Sequence, residues 1–191
     1  MEQKEEKNIS LEYEITVTDK QGKEVYKSGK QASKSYVKQF MQIMKAQMGG
    51  SNVPDVKDTA GTLRFVSRDN YRADAPDGDD RWGIQVGAGD TPVTNDDYAL
   101  DDKILHGSDA GKLQYGAMAF YDIVEESGYV KFTMSRTFFN GSGASIDVKE
   151  IGLVSHTDDY YYLVVRDVLA SPVTVNAGNT LTVQYTLKTT A

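Results

Sequence analysis

The sequence predicts a mainly β protein: an antiparallel, jelly-roll-like β-sandwich with one N-terminal amphipathic helix and a long irregular arm. From residue 113 onward, apolar and polar residues alternate in runs that recur about every 8–12 residues, separated by turn residues. One earlier stretch has helical spacing instead. Residues 69–112 have neither periodicity and are rich in Gly, Asp and Asn, which is typical of a functional loop or an interaction arm.

The composition restricts the class of protein. The 191 residues suit one domain, and the lack of cysteine excludes disulfides, thiolate metal sites and a cysteine nucleophile. A net charge of −7 repels nucleic acid, so direct reading of DNA or RNA is not expected. No apolar run reaches the roughly 18 residues of a membrane-spanning helix, and the charged start MEQKEEKNIS lacks the apolar region of a signal peptide.

The first element is a predicted β-hairpin over residues 11–28. Leu11, Tyr13, Ile15 and Val17 alternate with polar residues, which is the pattern of a half-buried strand. The sequence DKQG then supplies a turn in which Gly22 can adopt a positive φ. A weaker return strand follows.

The second element is a predicted helix over residues 33–48, with Ser33 or Ser35 as its N-cap and Gly49 after its last turn. Its apolar stripe is formed by Tyr36, Val37, Phe40, Met41, Met44 and Met48. The opposite face carries three lysines, Lys34, Lys38 and Lys45. A solvated face is the favoured interpretation; a docking face for an acidic neighbour is the alternative.

These elements suggest a division into two parts. Residues 1–48 are predicted to form a hairpin-and-helix appendage that packs partly against a neighbouring subunit. Residues 49–191 are predicted to form the β-sandwich domain, which includes the irregular arm 69–112.

The arm is preceded and interrupted by two short predicted strands, TLRFVSR and WGIQV. Its acidic clusters at 74–80 and 95–102 do not match the ligand spacing of an EF-hand, and GAGD lacks the residues of a phosphate-binding loop. Its apolar residues are spaced like anchors. The arm is therefore predicted to be mobile in a free subunit and ordered against neighbours, chiefly through Tyr98 and Leu100.

The C-terminal half predicts the core. One interior between two sheets is expected to receive Phe132, Met134, Ile146, Val148, Leu163, Val165, Val183 and Tyr185. The alternation slips near Glu150–Gly152, which predicts a β-bulge. The stretch NGSG lies between two strand patterns, and Asn-Gly is a strong hairpin signal, so residues 140–143 are predicted to be a hairpin turn.

Catalytic chemistry is not indicated. The chain has two histidines and no G-x-S-x-G, and no cofactor or metal motif is found; a glycosidase needs two carboxylates, but nothing selects a pair. Arg136 and Arg166 each lie in an apolar strand. They could anchor an interface, form a buried ion pair with Asp167 or Glu150, or simply end a strand, and the last interpretation is favoured. We expect that the protein is not an enzyme.

The C-terminal segments SRTFFNGSGASIDVKEIGLV and LVVRDVLASPVTVNAGNTLTVQYTL resemble a recurrent part of small structural proteins of tailed bacteriophages. IQVGAGDTPVTNDDYALDDKI resembles the stretch that commonly precedes it, and SLEYEITVTDKQGKEVYKSGKQASKSYVKQFMQIM resembles the strand–helix start. The resemblance implies a β-sandwich protein of the virion, in head or tail, that contacts copies of itself and other virion proteins. It carries over no active-site residues.

Two functions follow as hypotheses. The leading one is a virion structural subunit, with predicted interface residues Tyr36, Phe40, Met44, Tyr98, Leu100 and Leu105. The alternative is a β-sandwich module on a particle or cell surface that binds a carbohydrate or host receptor. Glycan binding would need exposed aromatic residues, and the candidates are Trp82 and the run Tyr160–Tyr162.

Overall fold

A computed structural model describes residues 9–33, 36–49, 52–66, 71–126, 128–157 and 160–190. The strands are β1 (Ile9–Thr18), β2 (Glu24–Lys27), β3 (Gln31–Ala32), β4 (Val53–Lys57), β5 (Leu63–Val66), β6 (Gly83–Gly87), β7 (Gln114–Tyr115), β8 (Ala119–Phe120), β9 (Val124–Glu126), β10 (Tyr129–Phe139), β11 (Ile146–Thr157), β12 (Tyr160–Val175) and β13 (Thr180–Thr190). The described residues contain one helix, α1 (Lys38–Gly49).

The strands form antiparallel sheets, which confirms the predicted mainly β, antiparallel class. The large sheet has the order β2-β1-β13-β10-β7, with β3 beside β1 and with β8 and β9 beside β10. The small sheet has the order β12-β11-β6. Strands β4 and β5 pair separately as a two-stranded sheet.

The large and small sheets share one apolar core. Leu181 and Val183 of the large sheet and Val148 and Val175 of the small sheet belong to the same buried cluster. The same cluster buries most of the predicted core residues, namely Met134, Ile146, Val148, Val165, Val183 and Tyr185. Leu163 lies in a second, smaller cluster, and Phe132 is half-buried at the edge of the first.

Strand β1 lies inside the large sheet. It pairs with β13 along its whole length, from Ile9 opposite Thr189 to Thr18 opposite Thr180. It also forms the predicted hairpin with β2, and Gly22 in the turn has a φ of 78°. The inward-facing side chains of β1 are buried in the shared core. These contacts favour a single unit over the predicted division into 1–48 and 49–191.

The helix starts later than predicted and is not N-terminal, because β1–β3 precede it. Tyr36 forms a β-bridge with Val165, and the Val37 amide donates to the carbonyl of Val164 at 3.2 Å. This pairing covers the edge of β12 and keeps the chain extended before Lys38. Ser33 does not cap the helix: its hydroxyl donates to Asp167 Oδ2 at 2.8 Å. Ser35 lies outside the described residues.

The helix buries a different face from the one its Met spacing predicts. The fully buried side chains are Gln39, Ile43 and Ala46, whereas Met41 is 66% exposed. Gln39 reaches the main chain of β4, where its Nε2 donates to the carbonyl of Lys57 at 3.4 Å. The side chain of Met48 lies outside the described residues.

The NGSG stretch is not a hairpin turn. Strand β10 belongs to the large sheet and β11 to the small sheet, so residues 140–145 cross from one sheet to the other. Asn140 is fully buried, and its Nδ2 donates to the carbonyls of Ala144 at 2.8 Å and Val175 at 2.7 Å. The Asn side chain therefore satisfies the main chain of a crossover, which local sequence cannot distinguish from a tight hairpin.

The predicted bulge is present in a slightly different place. The pairing of β11 with β12 shifts between Val148 and Glu150, and again between Leu153 and Val154.

Within the described part of the chain, no helix has both the length and the apolar character needed to cross a membrane.

Candidate interaction surface

An apolar groove opens where the inner face of the large sheet extends beyond the small sheet that packs against it. Strands β1, β13 and β10 are in lateral register, so opposite residues form rows on one face. Tyr13, Tyr185 and Met134 form one row, and Leu11, Leu187 and Phe132 form the next. The last row consists of Ile9, Thr189 and Val130, and Ile9 is 68% exposed. The inward-facing side of the sheet is thus accessible to solvent at this end.

The groove has three further walls. The small sheet contributes Leu153, Val164 and Val165, and α1 contributes Phe40 and Met44. The remaining side is formed by Tyr36, Tyr71, Ala73 and Phe120. The cavity measures about 300 Å³ and its lining is almost entirely apolar. By comparison, a cavity of about 150 Å³ is large enough to bind benzene.

A buried hydroxyl lies in this wall. The ring of Tyr36 stacks on Phe40 with 4.3 Å between ring centroids. The Tyr36 hydroxyl is buried and has no hydrogen-bond partner among the described residues. Desolvation, with a smaller contribution from Asp167, raises the pKa of Tyr36. Since an unpaired buried hydroxyl is costly, an occupant of the groove that offers an acceptor would be favoured.

Tyr71 faces Tyr36 across the same region. Desolvation of the Tyr71 hydroxyl, with a smaller contribution from Tyr36, raises its pKa to about 12. Both phenols therefore stay neutral at physiological pH. The groove carries no charge of its own and suits an apolar occupant.

Exposed apolar side chains also lie along the β8–β9 edge of the large sheet, and we call them the band. Its side chains are those of Phe120, Tyr121, Ile123, Val124 and Val130, and each is more than two-fifths exposed. Phe120 belongs to both the band and the groove. Val130 lies on the groove side of the sheet, whereas Val124 is opposite Lys131 and the Tyr121 hydroxyl meets Ser135 on the outer face. The band therefore exposes apolar side chains on both faces of this edge, and exposed apolar surface is typical of a site of interaction.

A second apolar feature projects from β5. Leu63 and Phe65 are 58% and 68% exposed, whereas Val66 is buried against the core. The main chain below them is held in place, because the Tyr162 hydroxyl donates to the carbonyl of Phe65 at 3.3 Å. Arg64 pairs with Asp58 and lies over the ring of Tyr160. We call the side chains of Leu63 and Phe65 the knob.

The six predicted interface residues are divided between two places. Tyr36, Phe40 and Met44 line the groove, as the helix prediction brought them together. Leu100 is 7% exposed and packs with Trp82, Val154 and Leu163 in the second core cluster. A role as an anchor to a neighbouring subunit does not match that placement.

The other two predicted residues of the arm lie apart from the groove lining. The ring of Tyr98 lies under the ammonium group of Lys57, 4.8 Å from it, and contacts the backbone near Gly61. Leu105 is half exposed. The interface role of both residues stays a prediction.

Two buried arginines hold the arm against the sheets. Arg166 of β12 donates through Nε to Glu150 Oε2 at 2.7 Å and through Nη1 to Asp97 Oδ2 at 2.8 Å. Its Nη2 donates to the carbonyl and hydroxyl of Thr91. Glu150 also accepts hydrogen bonds from the amides of Asp101 and Asp102. The ion pair with Glu150 was one of the sequence-based alternatives, and the favoured strand-end interpretation was wrong.

Arg136 of β10 is 1% exposed and donates every guanidinium N–H group to a main-chain carbonyl. The acceptors are the carbonyls of Gly116, Trp82, Ile84, Pro76 and Asp79. Desolvation lowers the pKa of Arg136, against the opposing effect of the Tyr115 ring and nearby aspartates. The arm thus folds onto its own chain around two buried side chains.

The aromatic candidates for glycan binding are largely covered. Trp82 is 6% exposed, with the guanidinium of Arg72 over its ring and the ring of His156 beside it. Tyr162 is fully buried. Tyr161 stacks on His156 with 4.9 Å between ring centroids.

Sequence reasoning missed the knob, the band and the groove walls from the large sheet. TLRFVSR was identified as a strand, but a single alternating strand does not reveal which of its faces is buried. Most of the band lies in LQYGAMAFYDIV, a segment of the β-rich C-terminal half that has no regular alternation to show which side chains are exposed. One signal in the sequence was the number of large apolar residues outside the alternating strands, since a chain with more of them than its core can bury exposes the rest.

Comparisons of the chain with protein-family models, curated proteins and solved structures found no match.

Proposed function

We propose that the protein is a non-enzymatic structural subunit of a bacteriophage virion, in the tail or the head, that assembles in many copies. In this proposal its two sheets act as a jelly-roll-like sandwich. Its partners are copies of itself and other virion proteins. The resemblance of its strand and turn segments to tailed-phage structural proteins supports the virion assignment.

The apolar groove with its adjoining band is the observation that carries the proposal. A protein with net charge −7 has little reason to expose these side chains to water unless another surface covers them. The core is otherwise complete, with fully buried apolar residues in both sheets. The exposed apolar surface is therefore an extra feature of the fold, as a subunit contact requires.

The polar groups that could perform chemistry have structural roles instead. Arg136, Arg166 and Glu150 bind the main chain or each other in the interior. His106 Nδ1 accepts the hydrogen bond of the Tyr115 amide, and His156 stacks between aromatic rings. These assignments support a non-enzymatic role.

The size of the purified protein in solution tests this proposal. We expect light scattering at increasing concentration, together with electron microscopy, to show defined oligomers, rings or tubes. A monomer at every concentration that also binds members of a glycan array would overturn it in favour of the carbohydrate-binding alternative.

A further inference from the structure

We infer that the groove of one copy receives the knob of another, so that Leu63 and Phe65 pack against Phe40, Met44 and Phe120 of the next subunit. This inference rests on the proposed function and specifies the contact through which the copies assemble. It follows from two apolar features that are exposed to water in the single chain, one concave and one projecting.

The groove has the right size and chemistry for this knob. Its volume of about 300 Å³ exceeds that of a benzene-binding cavity, which is about 150 Å³, so it has room for a phenyl ring together with a smaller side chain. Its walls are apolar, and the Tyr36 hydroxyl lacks an acceptor. A strand entering the groove brings main-chain carbonyls that can accept this hydrogen bond.

The chain's own undescribed segments do not suit the groove. Those that flank its lining residues are MEQKEEKN before Ile9, KS before Tyr36 and SRDN before Tyr71. These fourteen residues contain one apolar side chain, that of Met1. They cannot supply the apolar surface that the groove and the band would bury.

The two exposed apolar features favour a second copy over a small molecule. A small ligand could fill the cavity, but Leu63 and Phe65 would then remain in water at 58% and 68% exposure. A second copy covers the groove of one chain and the knob of the other in a single contact.

The knob is also prepared for insertion. Its main chain is fixed by the Tyr162 hydroxyl and by the Arg64–Asp58 ion pair, so little conformational entropy is lost when it binds. Because knob and groove are different surfaces, the contact is heterologous. Such contacts repeat from copy to copy and produce closed rings or open filaments, depending on the rotation between neighbours.

The test uses two variants that each remove one side of the contact. Phe65→Lys places a charge on the knob, and Phe120→Lys places one at the groove mouth; both sites are about half exposed or more, so both variants should fold. Val25→Lys, on the exposed strand β2, is the matched control. Sedimentation velocity of each variant, with circular dichroism to verify folding, gives the apparent dissociation constant.

We expect F65K and F120K each to weaken assembly at least about 30-fold, as loss of a central contact residue does. V25K should assemble like the wild type. An equimolar mixture of F65K and F120K should form 1:1 dimers and nothing larger, because one intact knob and one intact groove remain in the pair.

The outcomes separate this inference from the proposed function. If the wild type assembles and both variants assemble equally well, the knob–groove contact is wrong and the subunit role stands. A mixture of the folded variants that stays monomeric would also overturn the inference, because one intact knob and one intact groove would then fail to pair. A wild type that remains monomeric throughout would overturn both.

Discussion

Arg136 shows how a single residue can determine the course of a long irregular segment. Its five N–H groups bind carbonyls from residues 76–84 and from Gly116, and so fix the position of this segment relative to β10. A buried arginine with no carboxylate bound to it is uncommon, because an unpaired charge is costly to bury. Here the carbonyl dipoles take the place of a counter-ion, and the arm gains its fixed path.

Replacing Arg136 by Lys should therefore destabilise the protein although the charge is kept. An ammonium group has three donors, so at least two of the five carbonyls lose the N–H group that Arg136 donates to them. We expect the free energy of unfolding, from urea titration, to fall by about 2–4 kcal/mol. The matched control is Arg81→Lys, whose side chain is 63% exposed and which should cost much less. Equal losses in the two variants would contradict this role for Arg136.

Asp79 makes stability depend on pH in the acid range. The hydrogen bond from the Arg81 side chain outweighs desolvation and lowers the pKa of Asp79 from 3.8 to about 2. Because the carboxylate form is favoured in the folded state, its contribution is present above the unfolded pKa and disappears as the pH falls from about 4 to about 2. Allowing for partial solvent screening, the contribution is about 1–2 kcal/mol.

Thermal unfolding of Asp79→Asn between pH 7 and pH 2 measures this contribution. The variant should be less stable than the wild type at pH 7, and the difference should shrink toward pH 2. Asp109→Asn is the control, since Asp109 is exposed and its ion pair with Lys112 lies in solvent. A difference between D79N and the wild type that stays constant with pH would show that the Asp79 charge is not the cause.

At the scale of elements, the sequence predicted the long strands well, but it did not predict which segments pair with each other. The periods of β10 and β13 placed Met134, Val183 and Tyr185 correctly in the core, because a half-buried strand alternates whatever its partners are. The start of α1 was wrong because residues Tyr36 and Val37 pair with β12, a contact that helical periodicity does not reveal. The hairpin turn predicted at residues 140–143 was wrong because β10 and β11 pair with distant strands in different sheets, and not with each other.

The candidate groove was predictable only in part, because periodicity relates residues within one element but does not show which elements pack together. The helix stripe brought Tyr36, Phe40 and Met44 together, and all three line the groove, with Tyr36 in the extended stretch before α1. The other walls include β1, β10 and β13, whose register is decided by pairing between residues that are far apart in the sequence. Leu100 was assigned to a neighbour because its loop looked unsupported, whereas Arg166 and Glu150 hold that loop in place.

Hydrogen exchange should show that the arm is ordered in the free chain. The amides of Ala88 and Ile104 donate to main-chain carbonyls within the arm, and those of Asp101 and Asp102 donate to the buried Glu150. We expect these amides to exchange slowly at concentrations where the protein is monomeric, whereas amides of the exposed turn 108–111 exchange fast. This expectation reverses the one drawn from composition. Fast exchange at Asp101 and Asp102 that slows after assembly would restore the mobile arm.

At the scale of the whole molecule, the proposed assembly would couple folding to association. The two sheets bury a continuous core, yet the groove, band and knob remain in contact with water in one chain. In the proposed assembly, burying these surfaces between copies adds free energy that only folded chains can gain.

The melting temperature of the wild type should therefore rise with protein concentration. Association stabilises the native state by an amount that grows with the logarithm of free subunit concentration, so each tenfold increase above the dissociation constant adds about 1.4 kcal/mol. Scanning calorimetry over two decades of concentration measures the shift. In Phe120→Lys, where the groove mouth carries a charge, the melting temperature should be independent of concentration over the same range. A wild-type melting temperature that does not change with concentration would mean that the exposed apolar surface contributes nothing between copies, and that another class of molecule covers it.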